Sequence, residues 1–309
     1  MINLFNIENY EINTANFDNL LHGNIVSEFE NNFKNYVGAS YACSVNSATN
    51  AIFLSFLGKG ITVNLPSIIP PVVANALITS GNKIKFIDNI EWVGHSYILH
   101  EFDEYKIVDS AQKVEKDQFK KECNPEDLMI FSFYPTKPVG SVDGGIIVSN
   151  DSKKIEWFKE ATLNGMSFSK DNWNRRIKFP GYKMYMNSIQ SFIANENLKK
   201  ISFKKERLYE IREFYNSQLQ YKNSSDHLFR IQVRNNDKFI RNMRERNIMC
   251  GKHYSALHLN PVYRDCESSK DLILSKNISK RTVSIPFHEK LTKKDLSYIV
   301  RCCNICRDE

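Results

Sequence analysis

Three short polar motifs hold the side chains best suited to chemistry, and each follows an apolar run. The tripeptide Ser47-Ala48-Thr49 comes directly after "YACSV". Asp109 ends "YKIVD", and Lys137 follows "LMIFSF". In open α/β sheets, ligands bind beyond the carboxyl ends of the strands, so these motifs are expected to meet at one edge of a sheet. Each motif alone is more often structural, because a serine before a helix usually caps it and a loop lysine is usually solvated. Their joint occurrence therefore carries the prediction.

Together these residues suit a phosphorylated aromatic aldehyde. A helix that begins at Ala48 and Thr49 offers free backbone N–H groups and a favourable dipole to a phosphate. A carboxylate such as Asp109 can keep a ring nitrogen protonated, and the amine of Lys137 can form a Schiff base with the aldehyde. These properties match pyridoxal 5′-phosphate (PLP), which we predict as the cofactor.

Apolar periodicity predicts the elements that position these residues. Residues 24–37 have apolar side chains at helical spacing, and "NSATNAIFLSFLGKG" is typical of a second helix with Ser47 as its N-cap. Short apolar runs follow at "ITVNL", "KIKFID", "YKIVD", "LMIFSF" and "GIIVSN", and helix-length segments separate several of them. This alternation predicts an α/β fold with a mostly parallel central sheet flanked by helices.

The pattern changes near residue 190, where long amphipathic helices are predicted in "SIQSFIANENLKKISFKKERLYEIREFYNSQL". The run "HLFRIQV" then opens a segment of strands and short helices that continues to the end. We place a domain boundary within the helical connector. A large cofactor-binding domain is expected over residues 1–203 and a smaller C-terminal α+β domain over residues 204–309.

The charge and the apolar stretches limit the partners. A net charge of +7 and a pI near 8.9 suit an anionic partner, either a nucleic acid or a phosphorylated small molecule. Lys and Arg are scattered and no nucleic-acid-binding motif is present, so we expect no nucleic acid partner. The longest apolar stretch contains Pro66, Pro70 and Pro71, which argues against a membrane-spanning helix.

Cysteine usage indicates a reducing compartment and no metal centre. The chain has seven cysteines, an odd number, and its start lacks the apolar core of a secretory signal, so we expect a cytoplasmic protein. Cys303 and Cys306 have the spacing of zinc ligands, yet no second pair completes a set of four. We therefore expect them to pack within a C-terminal amphipathic helix.

Seven blocks along the chain resemble one family. They are "SEFENNFKNYVGASYACSVNSATNAI", "LPSIIPPVVANALITSGNKIKFID", "IVDSAQKV", "FSFYPTKPVGSVDGG", "PGYKMYMNSIQSFIANENLKKI", "NIMCGKHYSALHLNPVY" and "SIPFHEKLTKKDL". In this order they resemble the DegT/DnrJ/StrS family of nucleotide-sugar aminotransferases, a branch of the fold type I PLP enzymes. The resemblance covers nearly the whole chain and implies the fold type I architecture.

The resemblance assigns the catalytic residues. Lys137 matches the lysine that bonds to the cofactor aldehyde and later moves a proton between the substrate and the cofactor. Asp109 matches the carboxylate that pairs with the ring nitrogen. Gln112, in "DSAQ", matches the residue that contacts the phenolic oxygen of the cofactor.

The resemblance also implies a phosphate site and a homodimer. Ala48, Thr49 and Ser132 match residues that contact the cofactor phosphate. Lys183, in "GYKMY", replaces the asparagine with which family members reach the phosphate in a neighbouring subunit, and a lysine can make that contact as a point charge. His253 and Tyr254 match the small-domain motif that closes over the nucleotide sugar.

Two departures from the family pattern stand out. Pro70 occupies the position where many members have an aromatic residue that stacks on the cofactor ring, and a proline face can cover the ring instead. Only twenty residues separate Asp88 from Asp109, too few for a full strand–helix–strand unit, so we expect a trimmed sheet here. His95 and Tyr97 lie in this segment, and a structural role is favoured for both.

The resulting prediction is a PLP-dependent aminotransferase that converts a nucleotide-linked keto-sugar to an amino-sugar, with glutamate as amino donor. The dehydratase branch of the family has histidine in place of the lysine, so Lys137 argues against it. The alternative is a catalytically degenerate, PLP-binding or regulatory member of the same family. A basic RNA-binding protein has no supporting motif.

Overall fold

The computed structural model describes residues 1–167, 176–269 and 271–307. Its helices are α1 (Asn24–Val37), α2 (Ala48–Phe56), α3 (Pro71–Thr79), α4 (Gln118–Glu122), α5 (Ser152–Thr162), α6 (Ser188–Lys199), α7 (Ile201–Leu219), α8 (Asn236–Glu245), α9 (Ile273–Arg281) and α10 (Lys293–Cys306). Its strands are β1 (Tyr41–Val45), β2 (Thr62–Pro66), β3 (Lys83–Ile87), β4 (Tyr97–Glu101), β5 (Lys106–Asp109), β6 (Leu128–Ser132), β7 (Gly145–Ser149), β8 (Phe229–Gln232), β9 (Glu267–Ser268) and β10 (Thr282–Ile285). Strands are interspersed with helices through the first half of the chain, which confirms the predicted α/β class.

The central sheet has five strands in the order β1-β7-β6-β5-β4. β5 and β6 pair in parallel, whereas β1 with β7, β6 with β7, and β4 with β5 pair antiparallel. The prediction of a mostly parallel sheet was therefore wrong, because this sheet is mixed. The chain returns from β6 to β7 and from β4 to β5 through loops without an intervening helix, and such short connections give antiparallel neighbours.

The strand directions still bring the predicted motifs to one edge. β1, β5 and β6 run in the same direction, so their carboxyl ends lie on the same side of the sheet. These ends are Val45, Asp109 and Ser132. This geometry agrees with the expectation that Asp109 and the residues after β1 and β6 lie at one edge of the sheet.

Both faces of the central sheet are buried. All five residues of β6 are buried, and their side chains alternate between two cores. Met129 and Phe131 pack with Phe29 and Phe33 of α1, while Ile130 belongs to the core on the opposite face. A strand buried on both faces holds its carboxyl end in a fixed position, which suits a site built there.

A second sheet, in the order β2-β3-β9, is parallel. Between β3 and β5, the chain forms the single strand β4 and no helix, although Trp92 and Val93 in this segment are buried. The shortening of the family sheet expected in this region stays a prediction.

The C-terminal part of the chain has its own core. Leu208 and Ile211 of α7 pack there with β8, β10, α8 and α10, whereas Ile201 at the start of α7 packs in the core beneath the central sheet. The proposed boundary between residues 203 and 204 thus falls inside α7. Cys303 and Cys306 are buried in this core on α10, as expected for packing residues. Within the described ranges, every helix is too short or too polar to cross a membrane.

Candidate active site

Asp109 ends β5 as a buried carboxylate. Its Oδ1 atom accepts a 2.9 Å hydrogen bond from the backbone N–H of Ala111, and its Oδ2 atom accepts a 3.0 Å hydrogen bond from the hydroxyl of Tyr97. Burial raises the pKa of Asp109, and these two hydrogen bonds and the charge of Lys137 oppose that rise. The carboxylate is therefore held in place, and a further positively charged group beside it would stabilise its ionised form.

Lys137 lies in the loop between β6 and β7, and its backbone N–H donates a 2.8 Å hydrogen bond to the carbonyl of Tyr134. On the other side, the carbonyl of Pro138 accepts a 3.2 Å hydrogen bond from Nζ of Lys204 on α7. Burial lowers the pKa of Lys137 to about 8, and the charge of Asp109 opposes this decrease. Lys137 comes after the carboxyl end of β6, which pairs in parallel with β5, the strand that Asp109 ends. The two groups therefore belong to one site, and the charge of each affects the pKa of the other.

Gln112 connects two distant parts of the chain at this site. Its Oε1 atom accepts a 2.7 Å hydrogen bond from the backbone N–H of Gly94, and its Nε2 atom donates a 2.8 Å hydrogen bond to the hydroxyl of Tyr254. Gln112 is buried, and Tyr254 lies in the C-terminal half of the chain. The predicted cofactor residue Gln112 and the predicted substrate residue Tyr254 are therefore neighbours.

The residues expected to bind phosphate form a cradle at the same edge of the sheet. α2 begins at Ala48, and the Ser47 hydroxyl accepts the N–H of Asn50, so Ser47 is the N-cap that the sequence predicts. Gly145 pairs with both Val45 and Ser132. A Cβ atom at Gly145 would lie 2.6 Å from the backbone nitrogen of Ala48, so only glycine leaves this helix terminus accessible.

Ser132 and Thr49 complete this cradle. The Ser132 hydroxyl accepts a 3.3 Å hydrogen bond from the backbone N–H of Tyr134, which leaves its proton available to donate. Thr49 is the second residue of α2, within the first turn whose N–H groups have no partner inside the helix. The arrangement fits a phosphate monoester.

Lys183 lies two residues before Tyr185, which bridges Val45 at the end of β1. Lys183 is exposed, and its backbone bridges that of Leu163. Its predicted contact with a neighbouring subunit stays a prediction.

His253 is fixed next to Tyr254 at the small-domain side of the site. Its Nδ1 atom is 2.9 Å from the Ser284 hydroxyl, and its ring packs edge-on against Phe5 at a centroid distance of 5.8 Å. Burial, followed by the charges of Lys137 and Arg230, lowers the pKa of His253 to about 4. The imidazole is therefore neutral at pH 7 and able to donate or accept a hydrogen bond.

Two aromatic residues of the segment after β3, Trp92 and Tyr97, contribute to the site, although a structural role was favoured for Tyr97. Trp92 packs against Tyr97 with ring centroids 4.6 Å apart, and parallel to Tyr254 at 6.2 Å. Its indole N–H donates a 3.0 Å hydrogen bond to the carbonyl of Ile68. The local sequence offered only the presence of aromatic residues as a signal, because the contact with Asp109 depends on the β4–β5 pairing. His95, in contrast, is 3.3 Å from the Ser224 hydroxyl, away from Asp109.

Pro70, at the position of the expected stacking aromatic, is the N-cap residue of α3 and is partly buried. The site as a whole thus supplies an amine, a carboxylate, an amide and a helix N-terminus at one edge of the sheet. These groups match the aldehyde, the ring nitrogen, the phenolic oxygen and the phosphate of PLP. The residues present therefore fit this cofactor.

Comparisons with known proteins agree with this chemistry. The sequence matches the DegT/DnrJ/EryC1/StrS aminotransferase family over residues 6–92 and 105–304. It is 25% identical to the UDP-4-amino-4,6-dideoxy-N-acetyl-beta-L-altrosamine transaminase of Campylobacter jejuni, over 91% of this chain and 89% of that protein.

Solved structures show the same fold. The aminotransferase TlmJ from Streptoalloteichus hindustanus superposes with a TM-score of 0.82 at 19% identity, covering 99% of this chain and 98% of that one. The sugar aminotransferase Spr1654 from Streptococcus pneumoniae, in its PMP-form, superposes with a TM-score of 0.79 at 16% identity, covering 95% and 94%. The family match spans most of the chain. The protein therefore belongs to the DegT/DnrJ/EryC1/StrS aminotransferase family, and its cofactor is pyridoxal 5′-phosphate.

Proposed function

We propose that this aminotransferase converts a nucleotide-linked keto-sugar to an amino-sugar, with glutamate as the amino donor. The observation that carries the proposal is the placement of Lys137 and Asp109 in one buried site beside the N-terminus of α2, where each shifts the pKa of the other. The family match and the altrosamine transaminase of Campylobacter jejuni support a sugar as the amino acceptor.

Lys137 would hold the cofactor through a bond to its aldehyde carbon. Once the amine of the substrate has displaced it from that carbon, the freed amine of Lys137 would move the proton between the substrate Cα and the cofactor C4′. When bound, PLP supplies an electron-withdrawing ring that accepts negative charge from the substrate carbon. A lysine with a pKa of about 8 is partly neutral near pH 7.5, so its amine is available as a base. Asp109 would hold the proton on the ring nitrogen through its buried carboxylate.

The remaining cofactor contacts would come from the cradle. The N–H groups of Ala48 and Thr49 and the hydroxyl of Ser132 would bind the phosphate, with the dipole of α2 favouring its charge. The amide of Gln112 would contact the phenolic oxygen, and its hydrogen bond to Tyr254 would couple the cofactor to the small domain.

The small domain would close over the substrate at this site. His253 and Tyr254 would contact the nucleotide sugar, and the net charge of +7 favours a substrate that carries a diphosphate. We also propose a homodimer in which Lys183 reaches the phosphate bound by the neighbouring subunit. Lys183 is exposed, so its side chain is available for such a contact.

The cofactor chemistry can be tested with purified protein and light absorption. The PLP-loaded protein should be yellow, and borohydride should bleach it and fix the cofactor covalently to Lys137. Lys137→Ala should abolish the covalent attachment, whereas the exposed Lys153→Ala control should not. Protein that stays colourless after incubation with PLP would contradict the assignment.

The amino donor and acceptor require separate reactions. Glutamate should convert the yellow form to the pyridoxamine form and release 2-oxoglutarate, and a set of keto-sugar nucleotides should then be screened for restoration of the yellow form. Protein that binds PLP but reacts with no amino donor would favour the regulatory alternative. Reaction with donors but with no keto-sugar nucleotide would overturn the proposed acceptor.

A further inference from the structure

Arg230, on β8, is a partly buried arginine without a carboxylate partner among the described residues. Its Nη2 atom donates one hydrogen bond of 3.4 Å to the carbonyl of Val93. A guanidinium has five N–H donors, and a buried charged group is costly unless it is paired. One long hydrogen bond to a carbonyl uses only one of these five donors.

The surroundings of Arg230 are basic and open to a ligand. A cavity of about 300 Å³ lies between the segment after β3 and the start of the small domain, lined by Ile90, Glu91, His95, Lys222, Leu228 and Arg230 among others. Arg230 and Lys222 bring two permanent positive charges, against the single carboxylate of Glu91. The cavity therefore favours an anion.

Arg230 also lies next to the candidate active site, because Val93, which accepts its hydrogen bond, stands between Trp92, which stacks on Tyr254, and Gly94, which donates to Gln112. The charge of Arg230 contributes to the low pKa of His253 and opposes the rise in the pKa of Tyr254. Tyr254 is in turn hydrogen-bonded to the cofactor residue Gln112. An anion held by Arg230 would therefore lie beside the residues proposed to contact the substrate.

We propose that Arg230 binds an oxyanion of a substrate, using its guanidinium fork at the base of this cavity. The proposal rests on the proposed function for the identity of the ligand, which is either the carboxylate of the amino donor or the diphosphate of the nucleotide sugar. Both present paired oxygens that match the planar fork of arginine. The bound oxyanion would supply the partner that the partly buried charge lacks.

The first test needs no catalysis. Thermal unfolding of the PLP-loaded protein, in which the cofactor fills the phosphate cradle, is followed with glutarate, an amine-free dicarboxylate, and with inorganic pyrophosphate. At least one probe should raise the melting temperature of the wild type, and Arg230→Gln should weaken its binding by about tenfold or more. Arg230→Lys keeps the charge without the fork and should also lose most of the response. Arg264→Gln, at an exposed arginine that pairs with Asp265, serves as the matched control.

The second test separates the two sources of the oxyanion. If Arg230 binds the donor carboxylate, R230Q should raise the donor concentration needed to form the pyridoxamine form and leave the sugar half-reaction unchanged. If it binds the diphosphate, the opposite half-reaction should weaken.

Two results would overturn the site: no response of the wild type to either probe, or equal responses of wild type and R230Q in both tests. A wild type that binds a probe through Arg230 but reacts with no substrate would overturn the proposed function alone.

Discussion

The hydroxyl of Tyr97 donates a 3.0 Å hydrogen bond to Oδ2 of Asp109, the carboxylate that faces the cofactor ring nitrogen in the proposed function. Tyr97 opens β4, and it lies within residues 93–104, which the family match leaves out. The antiparallel pairing of β4 with β5 places Tyr97 directly opposite Asp109. Tyr97, in a segment outside the family match, therefore fixes the position of the Asp109 carboxylate.

Tyr97→Phe should weaken the cofactor site without dismantling it. The hydrogen bond lowers the pKa of Asp109, so its loss should raise that pKa further and disfavour the ionised form. We expect the PLP dissociation constant to increase by about tenfold, the range of a hydrogen bond to a charged group. The acid limb of the activity profile should move to higher pH, because protonation of Asp109 then occurs at higher pH.

Titration of cofactor absorbance against PLP concentration measures the affinity, and the rate of reaction with the amino donor as a function of pH measures the acid limb. Tyr41→Phe, at an exposed tyrosine on β1, is the control for loss of a hydroxyl. Equal PLP affinity and an unmoved acid limb in Tyr97→Phe would show that Asp109 is positioned without Tyr97.

Gly145→Ala should damage the phosphate cradle selectively. The added Cβ would lie 2.6 Å from the backbone nitrogen of Ala48, so α2 or β7 must shift. We expect the affinity for PLP to decrease by at least about tenfold, because the N–H groups at the start of α2 lose their alignment with the phosphate. Binding of pyridoxal, which lacks the phosphate, should change much less.

The comparison of the two ligands separates a local effect from unfolding. Ile146→Val, at the next position of β7, controls for a small loss of packing there. A variant that loses pyridoxal and PLP affinity to the same extent would argue against a phosphate cradle at this position.

The sequence was sufficient for the elements with strong local signals. The helix at residues 24–37 and the N-cap at Ser47 follow from apolar spacing and capping chemistry, and the structure has both. Asp109 is predicted because it ends an apolar run and Lys137 because it follows one, and these runs form β5 and β6. These signals lie within a few residues of the side chain concerned.

The features that escaped prediction depend on strand pairing and distant contacts. The antiparallel direction of β7 comes from its pairing with β1 and β6, which apolar runs alone do not specify. The contact of Tyr97 with Asp109 requires the β4–β5 pairing, and the partial burial of Arg230 requires the small domain to pack against Val93. Such contacts join residues far apart in the chain, so no local pattern marks them.

Lys137→Met should stabilise the cofactor-free protein at neutral pH. Burial lowers the pKa of Lys137 to about 8, whereas an unfolded lysine has a pKa of about 10.4. Between these values the unfolded chain binds more protons, so the wild type gains stability as the pH rises through this window. At pH 7 the buried, charged amine of Lys137 therefore opposes folding. Replacing it stabilises the folded state, although the loss of its attraction to Asp109 offsets part of this stabilisation. We expect Lys137→Met to add about 1–2 kcal/mol at pH 7.

Urea unfolding of the cofactor-free proteins at pH 7 and pH 10 measures this difference. The advantage of Lys137→Met should shrink at the higher pH, where the wild-type amine is neutral. Lys153→Met, at an exposed lysine, should show no such trend. A constant difference between wild type and Lys137→Met at both pH values would indicate a packing effect instead of a titrating amine.

Mixed dimers test whether the active site is shared between subunits. Lys137→Ala and Lys183→Glu should each abolish most activity, the second because it places a negative charge near the phosphate of the neighbouring site. In a dimer of one subunit of each kind, one site would have both lysines intact and the other would have neither. Random mixing should then restore about a quarter of wild-type activity, because half of the dimers carry one good site of two.

The matched control is a mixture of Lys137→Ala with Asp109→Asn. Both residues belong to the site of their own chain, so every site in this mixture keeps a defect and no activity should return. Refolding the mixed subunits together, followed by an activity assay, gives the measurement. Recovery in neither mixture, or full activity of Lys183→Glu alone, would rule out a role for Lys183 in the partner's site, because the first mixture gains activity only when that lysine acts across the interface.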